Sequence, residues 1–523
     1  MFADFRKLED GLSLKADVCV IGAGAAGITI ATTLAKTPLA VCLLESGGLE
    51  YDPATQDLYG GQTRGRPWYD AGTRESGGEQ IIPELVFSRV RFFGGSTNHW
   101  GHGCVPLDDT DFAVRSWVPF SGWPIRQADL EPYYARAVAL CQAPAADFGR
   151  RQPPDPLAVD PTKLRYHTGA LSPINFGTAY RAALQQADNV KILLHANLLE
   201  LHANRDASAV EKATFGTLEG KRGTVYARSF VLCCGGIENA RLLLLSNSVV
   251  KQGLGNTRDL VGRFFMDHPR GACGRIYGGD PKHLMPQALY FAPQIERREK
   301  TLQALARFVD REAGPIPDGI VAVRQLEAAF AARTIPPNFA ELIERIVLDA
   351  DDVIRGIYRR EMDGDAVPNN YIEFEAQFEQ APNPESRITL GDEVDRLGQR
   401  RTMLDWRLTD LDHHTYRRFA LTVAAEIARL GLGRLKLPPW LEPDSTEPAE
   451  LGGCSHHMGT TRMADDPSRG VVDRNCRVHG IANLYIGGSS CFSTGGCGFP
   501  TFTIVVLALR LARYLQQDLA RSG

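Results

Sequence analysis

No CxxC pair and no cysteine–histidine cluster with metal-ligand spacing occurs in the 523 residues. That leaves no zinc site and no dithiol redox motif to read. A basic excess is also missing. Lysine and arginine number 58 against 62 acids, for a net charge of −4, so the footprint of a nucleic-acid binder or of a protein held on an anionic membrane is absent. Long apolar runs are lacking too. Ile504 to Leu509, in the last helical segment, is cut by Arg510 and Arg513, far short of the ~20 residues that span a bilayer. The first residues, MFADFRKLEDGLSLKADV, hold no apolar signal core and no twin arginine, so no cleaved leader is expected. Eleven cysteines, an odd count with Cys233 and Cys234 adjacent in an apolar run, read as buried thiols. A reducing, cytoplasmic setting follows as the expectation. No internal repeat and no low-complexity tract is present.

Glycine is what the chain has in plenty. There are 51, near a tenth of the residues against roughly 7 % on average. They fall in clusters, which points to backbone pressed close to a ligand. The chain is long enough for two folded units.

The opening reads as a βαβ unit. Asp17 to Ile21 predicts a buried strand, Ala23 to Lys36 a helix of small residues stopped by Pro38, and Val41 to Glu45 a second strand. Gln56 to Gly103 is loop-like. Ala128 to Gln142 has helical spacing, and the prolines of 144–161 predict an irregular connection. Ile192–Leu194 and Phe230–Cys233 are apolar runs, and Gly235-Gly236 then opens a helix through Leu245. Residues 266–448 differ in character. The stretch 291–364 is charged and helical in pattern, Tyr371 to Leu390 alternates like strands, and Asp412 to Leu430 reads as a helix. The chain then returns to glycine-rich sequence, with a strand at Leu484–Ile486 and a last helix from Thr501. The expected organisation is one discontinuous domain, 1–265 and 449–523, with a second domain, 266–448, inserted in it.

Gly22-Ala-Gly24-Ala25-Ala26-Gly27 lies between the first strand and the first helix. Such glycines permit a tight turn, close approach of a pyrophosphate, and close helix–sheet packing, with the phosphates at the helix N-terminus. Glu45 closes the second strand, where a carboxylate accepts from ribose hydroxyls and repels a 2′-phosphate. A dinucleotide site is therefore expected. The later strand-then-glycine segment, Asn483 to Ser490, offers a second helix N-terminus to the far end of an extended dinucleotide, which favours a flavin over a nicotinamide cofactor.

At this point the sequence resembles the glucose-methanol-choline (GMC) oxidoreductase family. The likeness runs through VIGAGAAG and LLESGG, then FFGGSTNHWGHGCVPLD (Phe92–Asp108), FVLCCGGIENARLLL (Phe230–Leu244), VGRFFMDHP (Val261–Pro269), SHHMGTTRM (Ser455–Met463) and NLYIGGSSCFSTGGCGFPTFTI (Asn483–Ile504). It covers nearly the whole chain. Among members it looks most like bacterial pyranose oxidases and glucoside 3-dehydrogenases. The resemblance implies a discontinuous Rossmann-type FAD domain with an inserted antiparallel-sheet substrate domain, and no metal. It implies FAD held by Gly22, Gly24, Ala25, Ala26, Gly27, Glu45 and Ser46. It puts Gly94, Gly95, Ser96, Asn98 and His99 at the ring, Asn197 and Leu198 at the adenine, and Gly235, Gly488, Ser489, Pro500 and Thr501 elsewhere along the cofactor.

The activity implied is oxidation of a CH–OH group on a sugar, glycoside or related polyol. Oxygen or another molecule is the final acceptor. Alcohol oxidation needs an acceptor for the hydride and a base for the hydroxyl proton, and a neutral histidine suits the second task. The family's His-x-x-Gly-Thr motif makes His456 the base, three residues before Gly459, with His457 beside it as a substitute. Gln377, in EFEAQFEQ, and Phe499 would contact substrate. His99 is either bonded to the flavin 8α-methyl or a wall of its pocket. One departure stands out. The residue before Pro500-Thr501 is Phe499, where the family has Asn or His, and a phenyl ring cannot hydrogen-bond a hydroxyl. Two other readings stay open: biosynthetic oxidation of an aminoglycoside or similar metabolite, and a flavoprotein with non-alcohol chemistry.

Overall fold

The computed structural model describes residues 1–65, 84–144, 156–166, 169–285, 288–311, 318–331, 334, 336, 338–348, 350, 353, 371–441 and 451–521. The loop-like 66–83, the proline-rich 145–155 and the end of the helical stretch, 354–364, lie outside them.

The βαβ start forms where the apolar pattern put it. The strand Leu12–Ile21 ends in four buried residues, the helix Ala25–Leu34 follows, and the strand Val41–Leu44 is buried throughout. The helix is shorter than the pattern suggested, with Gly24 as its N-cap. At its end the Thr37 hydroxyl donates to the Leu34 carbonyl at 2.7 Å, just before Pro38, a residue type that cannot continue a helix. Small residues let this helix lie tight on the turn before it. A Cβ on Gly27 would stand 1.9 Å from the Gly22 carbonyl oxygen.

These strands belong to an eight-stranded sheet. Its order is Phe2–Asp4, Val190–Leu194, Val41–Leu44, Leu12–Ile21, Arg222–Leu232, Val210–Gly216, Asn197–Ala203. Pairing is parallel as far as Arg222–Leu232 and antiparallel beyond it. Arg222–Leu232 is long enough to serve two neighbours on one side. Its first half pairs with Val210–Gly216, and its last three residues pair in parallel with Leu484–Ile486. The discontinuous Rossmann-type sheet thus closes with a strand distant in sequence.

A second, six-stranded antiparallel sheet has the order Arg434–Lys436, Arg270–Tyr277, Tyr371–Phe378, Ala304–Arg311, Leu289–Phe291, Leu164–Tyr166. The helix Asp410–Leu430 covers it, burying Tyr416, Phe419, Val423 and Ile427 against Phe291, Phe374 and Phe378. A capping box at Thr409 and Asp412 starts this helix, and Gly431, left-handed at φ 64°, ends it.

Two helical expectations need correction. Within 291–364, residues Ala304–Arg311 form a strand paired with Tyr371–Phe378. Its buried Ala304, Ala306 and Phe308 recur with period two, a signal obscured by the charges on the other face. Helices Asp318–Ala331 and Phe339–Leu348 do form. Ala128–Gln142 is broken into two 3-10 turns, Gln127–Asp129 and Glu131–Tyr133, before an α-helix over Tyr134–Leu140. Pro132 sits in the second turn and has no N–H to extend it. Among the described residues no helix is long and apolar enough to cross a membrane.

Candidate active site

The parallel strands Leu12–Ile21, Val41–Leu44, Arg222–Leu232 and Leu484–Ile486 all deliver their C-terminal ends to one cavity. It encloses about 1610 Å³, counting the part open to solvent. This is where an open α/β sheet binds ligands. Three glycines on its wall form a cradle. A Cβ built on Gly24, Gly235 or Gly488 meets nothing within 4 Å, so their backbones face open space. Gly22 and Gly27 work differently, because their missing side chains make room for protein. A Cβ on Gly22 would press to 2.8 Å from the Cys233 carbonyl oxygen. Ala25, Ala26, Ser46, Leu198, Ser489, Pro500 and Thr501 line the same cavity.

Glu45 is buried at the cavity wall. One carboxylate oxygen accepts from the Ala23 amide at 2.8 Å, the other from the Gly47 amide at 2.9 Å and the Ser46 hydroxyl at 3.1 Å. It braces the glycine turn and still has lone pairs for a ribose.

A charged group with no counterpart among the expected site residues lies beside it. Arg89 and Arg91 are buried, line the cavity, and stack over the Tyr59 ring at 4.0 and 4.7 Å. Both flank Glu238, at 3.8 and 3.5 Å. Glu238 also pairs with Arg241 at 2.8 Å, and Arg241 reaches Asp395 at 2.7 Å. Burial alone would raise the Glu238 carboxyl, but Arg241, Arg91 and Arg89 hold it down to about 2. The Nε and Nη1 atoms of both Arg89 and Arg91 make no hydrogen bond within the protein, an unmet demand for acceptors. A cradle of open glycines next to unsatisfied guanidinium groups fits an extended, phosphate-bearing dinucleotide such as FAD.

The segment 95–103 forms another wall. Gly95, Ser96, His99, Trp100 and Gly103 line the cavity, and the His99 side chain is exposed to it. Phe499 packs here. A Cβ on Gly103 would fall 2.3 Å from the Phe499 ring, so glycine at 103 makes the space that the phenyl ring fills. The same ring meets His456 edge-on, with centroids 5.5 Å apart at 78°.

His456 is set by strands distant in sequence. Two antiparallel bridges, Met266↔Met458 and Arg270↔Gly452, lay the segment 266–270 against 452–458. Between them Ser455 takes φ 60°, a left-handed conformation that costs about 1–2 kcal/mol for a residue with a side chain. The buried Asp267 carboxylate secures this turn, accepting from the Cys454 amide at 3.1 Å and the His456 amide at 3.0 Å. The His456 ring lines the cavity, and its Nδ1 lies 2.8 Å from Nδ1 of His268. Burial, then the nearby His268, His457, Arg270 and Arg307, push the His456 imidazole well below its ordinary value. Burial pushes His268 to about 4 and His457 to about 3. All three are neutral near pH 7. His457 also lines the cavity, but its backbone is clamped. Its carbonyl accepts from the Ser489 hydroxyl at 2.6 Å and presses on Gly236.

Five expected site residues, Gly27, Gly94, Asn98, Asn197 and Gln377, do not line the cavity. Gln377 is 3 % exposed. Its amide donates to the Cys497 carbonyl at 2.8 Å, and its oxygen accepts from the Cys454 thiol at 3.4 Å, so it braces the site rather than touching substrate. Asn197 spends its amide on the Gly216 carbonyl at 3.1 Å. Asn98 donates to the Phe93 carbonyl at 3.0 Å and packs on Gly94. Gly27 sits against the Gly22 turn. These shape the backbone around the site. Among the described residues no cluster of side chains could hold a metal ion.

Comparison with known proteins agrees with this geometry. Residues 17–252 match the FAD dependent oxidoreductase family and residues 382–508 the GMC oxidoreductase family. The chain is 26 % identical to 6'''-hydroxyparomomycin C oxidase of Streptomyces lividus, over 96 % of this chain and 92 % of that one. It is 23 % identical to the fructose dehydrogenase large subunit of Gluconobacter japonicus, over 97 % and 99 %. The crystal structure of pyridoxine 4-oxidase from Mesorbium loti superposes with a TM-score of 0.56 at 17 % identity, covering 96 % of this chain and 99 % of that one, a likeness of fold.

Proposed function

Because this chain belongs to the GMC oxidoreductase family and is an FAD-dependent enzyme, we propose that it oxidises a CH–OH group of a sugar, glycoside or related polyol to a carbonyl. One observation carries the reading: a half-buried, neutral His456 facing the cavity that the open glycines line. Bound FAD supplies the acceptor for the carbon-bound hydride. The chain's residues do the rest. Gly24, Gly235 and Gly488 admit the cofactor, Glu45 and Ser46 border its ribose, and Arg89 and Arg91 offer their unsatisfied N–H groups to its phosphates. His456 takes the hydroxyl proton on the ring nitrogen that His268 does not engage. Phe499 gives the hydroxyl no hydrogen bond; it walls the cavity and packs the His456 ring. On this reading 1–265 with 449–523 carries the cofactor, and 266–448 covers the substrate.

The name of the Streptomyces relative supports a second reading, oxidation of an aminoglycoside-type hydroxyl. The described lining disfavours it. Its two carboxylates are committed elsewhere on this reading, Glu45 to backbone amides and the cofactor's ribose, and Glu238 to the charges of Arg241, Arg91 and Arg89. We place the enzyme in the cytoplasm, a reading supported by eleven free cysteines.

The test is anaerobic reduction of the bound flavin by a panel of sugars, glycosides, aminoglycosides and simple alcohols. Bleaching by a neutral sugar or glycoside is expected, and bleaching by none of the panel sinks the proposal. His456→Ala should bind FAD and be reduced ~10²–10⁴-fold more slowly, the usual contribution of a general base. His457→Ala should change the rate far less. Acid precipitation of the holoprotein separates the two roles of His99: colour in the pellet means a covalent link, colour in the supernatant a wall of the pocket.

A further inference from the structure

The motif VGRFFMDHP carries a histidine, one before its final proline, to which the reaction as described gives no part. His268 is fully buried, with a relative exposure of 0 %. It does not line the cavity. Its ring meets His456 edge-on at 81°, with the two Nδ1 atoms 2.8 Å apart. A hydrogen bond between two neutral imidazoles needs one proton between those atoms, on one ring or the other. The surroundings decide which. The Nε2 of His268 lies against Gly495, where a Cβ would stand 3.4 Å from it. The backbone of Gly496 and Gly495 favours the protonated form of this ring. That Nε2 has no hydrogen-bond partner within the protein, so the proton is placed there by the need of His456 for a lone pair on its cavity-side nitrogen, since His456 Nδ1 must then donate to His268. A proton on Nε2 leaves Nδ1 of His268 as a lone pair.

We propose that His268 is a positioning residue: it accepts the Nδ1–H of His456 and so fixes the tautomer in which Nε2 of His456 is the free base. The inference rests on the reading of His456 as base. Asp267, next in the chain, holds the His456 backbone through its amide while His268 holds its ring. The dipeptide clamps the base at two points. When Nε2 gains a proton, the cation keeps its Nδ1–H bond to His268. The acceptor is neutral, unlike the carboxylate that orients histidine in a catalytic triad. It therefore orients the ring without raising its basicity by a full charge.

The experiment is ¹⁵N NMR of the histidine rings in the holoprotein, with the His456 signals identified by their loss in His456→Ala. His456 is expected to carry its proton on Nδ1. His268→Asn keeps an acceptor near the same place and should hold the tautomer, with flavin reduction within about tenfold of wild type. His268→Leu removes the acceptor. It should shift the His456 proton toward Nε2 and slow flavin reduction by about 10²-fold, the lower end of a general base's contribution, while FAD absorbance is retained. A wild-type spectrum with His456 protonated on Nε2 overturns the proposal, even if neither His268 variant folds. So does His268→Leu at wild-type rate, or equal losses in both variants with the tautomer unchanged, which would mark a packing role. A full rate in His456→Ala defeats the base assignment instead, and leaves the tautomer measurement standing by itself.

Discussion

Replacing Gly24 by valine should abolish cofactor binding while leaving the apoprotein folded. Gly24 sits at φ −82° and ψ −167°, extended backbone open to any residue. A Cβ there meets no protein atom within 4 Å. The only folding cost is exchange of glycine for a poorer N-cap, about 1 kcal/mol or less. That is about 2 °C or less in the Tm of a chain this long. The space the new side chain enters belongs to the ligand. Wild-type apoprotein with free FAD at 100 times its Kd should gain about 2.7 kcal/mol; the variant should gain nothing measurable. Gly27→Val is the control, since its Cβ would stand 1.9 Å from the Gly22 carbonyl and the apoprotein itself should fail. Gly488→Ala falls between. It opens onto empty space but sits at φ 106°, so it should show both a strained apoprotein, by about 1–2 kcal/mol, and weaker binding. Thermal melts with and without FAD, beside a flavin-fluorescence titration, read both quantities. The reasoning is refuted if Gly24→Val binds FAD like wild type, or if its apoprotein unfolds as Gly27→Val does.

Phe499→Asn should slow flavin reduction by about two- to tenfold, the loss of an aromatic contact of about 0.5–1.5 kcal/mol on His456; a faster reaction with a simple alcohol would show that the phenyl ring obstructs rather than supports. The cost of His268→Asn to apoprotein stability should depend on pH. The unfolded ring takes its proton near 6.5 and the folded one only at about 4, so the wild type has this contribution in full above pH 6.5 and loses it as pH falls to 4. The destabilisation by His268→Asn, measured by urea melts, should therefore shrink by about 3 kcal/mol between those values. Taking the difference between the two proteins removes Asp412 and Glu296, which burial raises to about 7 and which titrate in the same range with the opposite sign. A cost that stays constant with pH contradicts a neutral buried His268.

The parts of this molecule that could be read from sequence are those whose cause is local. A buried strand, a glycine turn and a small-residue helix are neighbours in the chain, and the Gly22–Gly27 cradle needed nothing else. Arg89 and Arg91 were illegible because their burial depends on Tyr59 and Glu238, brought from other elements. Nothing in FSRVR marks those arginines as interior. Gln377 shows the limit of alternation. EFEAQFEQ established a strand with two faces, but which face meets a cavity is set by Cys497 and Cys454. The strand Ala304–Arg311 was hidden because alternate charges and small residues mimic an amphipathic helix over eight positions. His456 could be picked by its motif, whereas His268, 188 residues away, is brought to it by the Met266↔Met458 and Arg270↔Gly452 bridges, which no local pattern announces.

The parallel pairing of Leu484–Ile486 with the end of Arg222–Leu232 also sets a schedule for synthesis. On a ribosome adding ~5–20 residues per second, Gly488 follows Gly22 by roughly half a minute to a minute and a half. During that interval the early strands can assemble, but no cofactor can be retained, because one wall of its cavity has not been translated. Phe230, Val231 and Leu232, all at 0 % exposure once folded, meanwhile present a bare apolar strand edge, the kind that recruits other chains. The nascent protein is most vulnerable to aggregation in that window, and supplying more flavin cannot protect it until the last strand arrives.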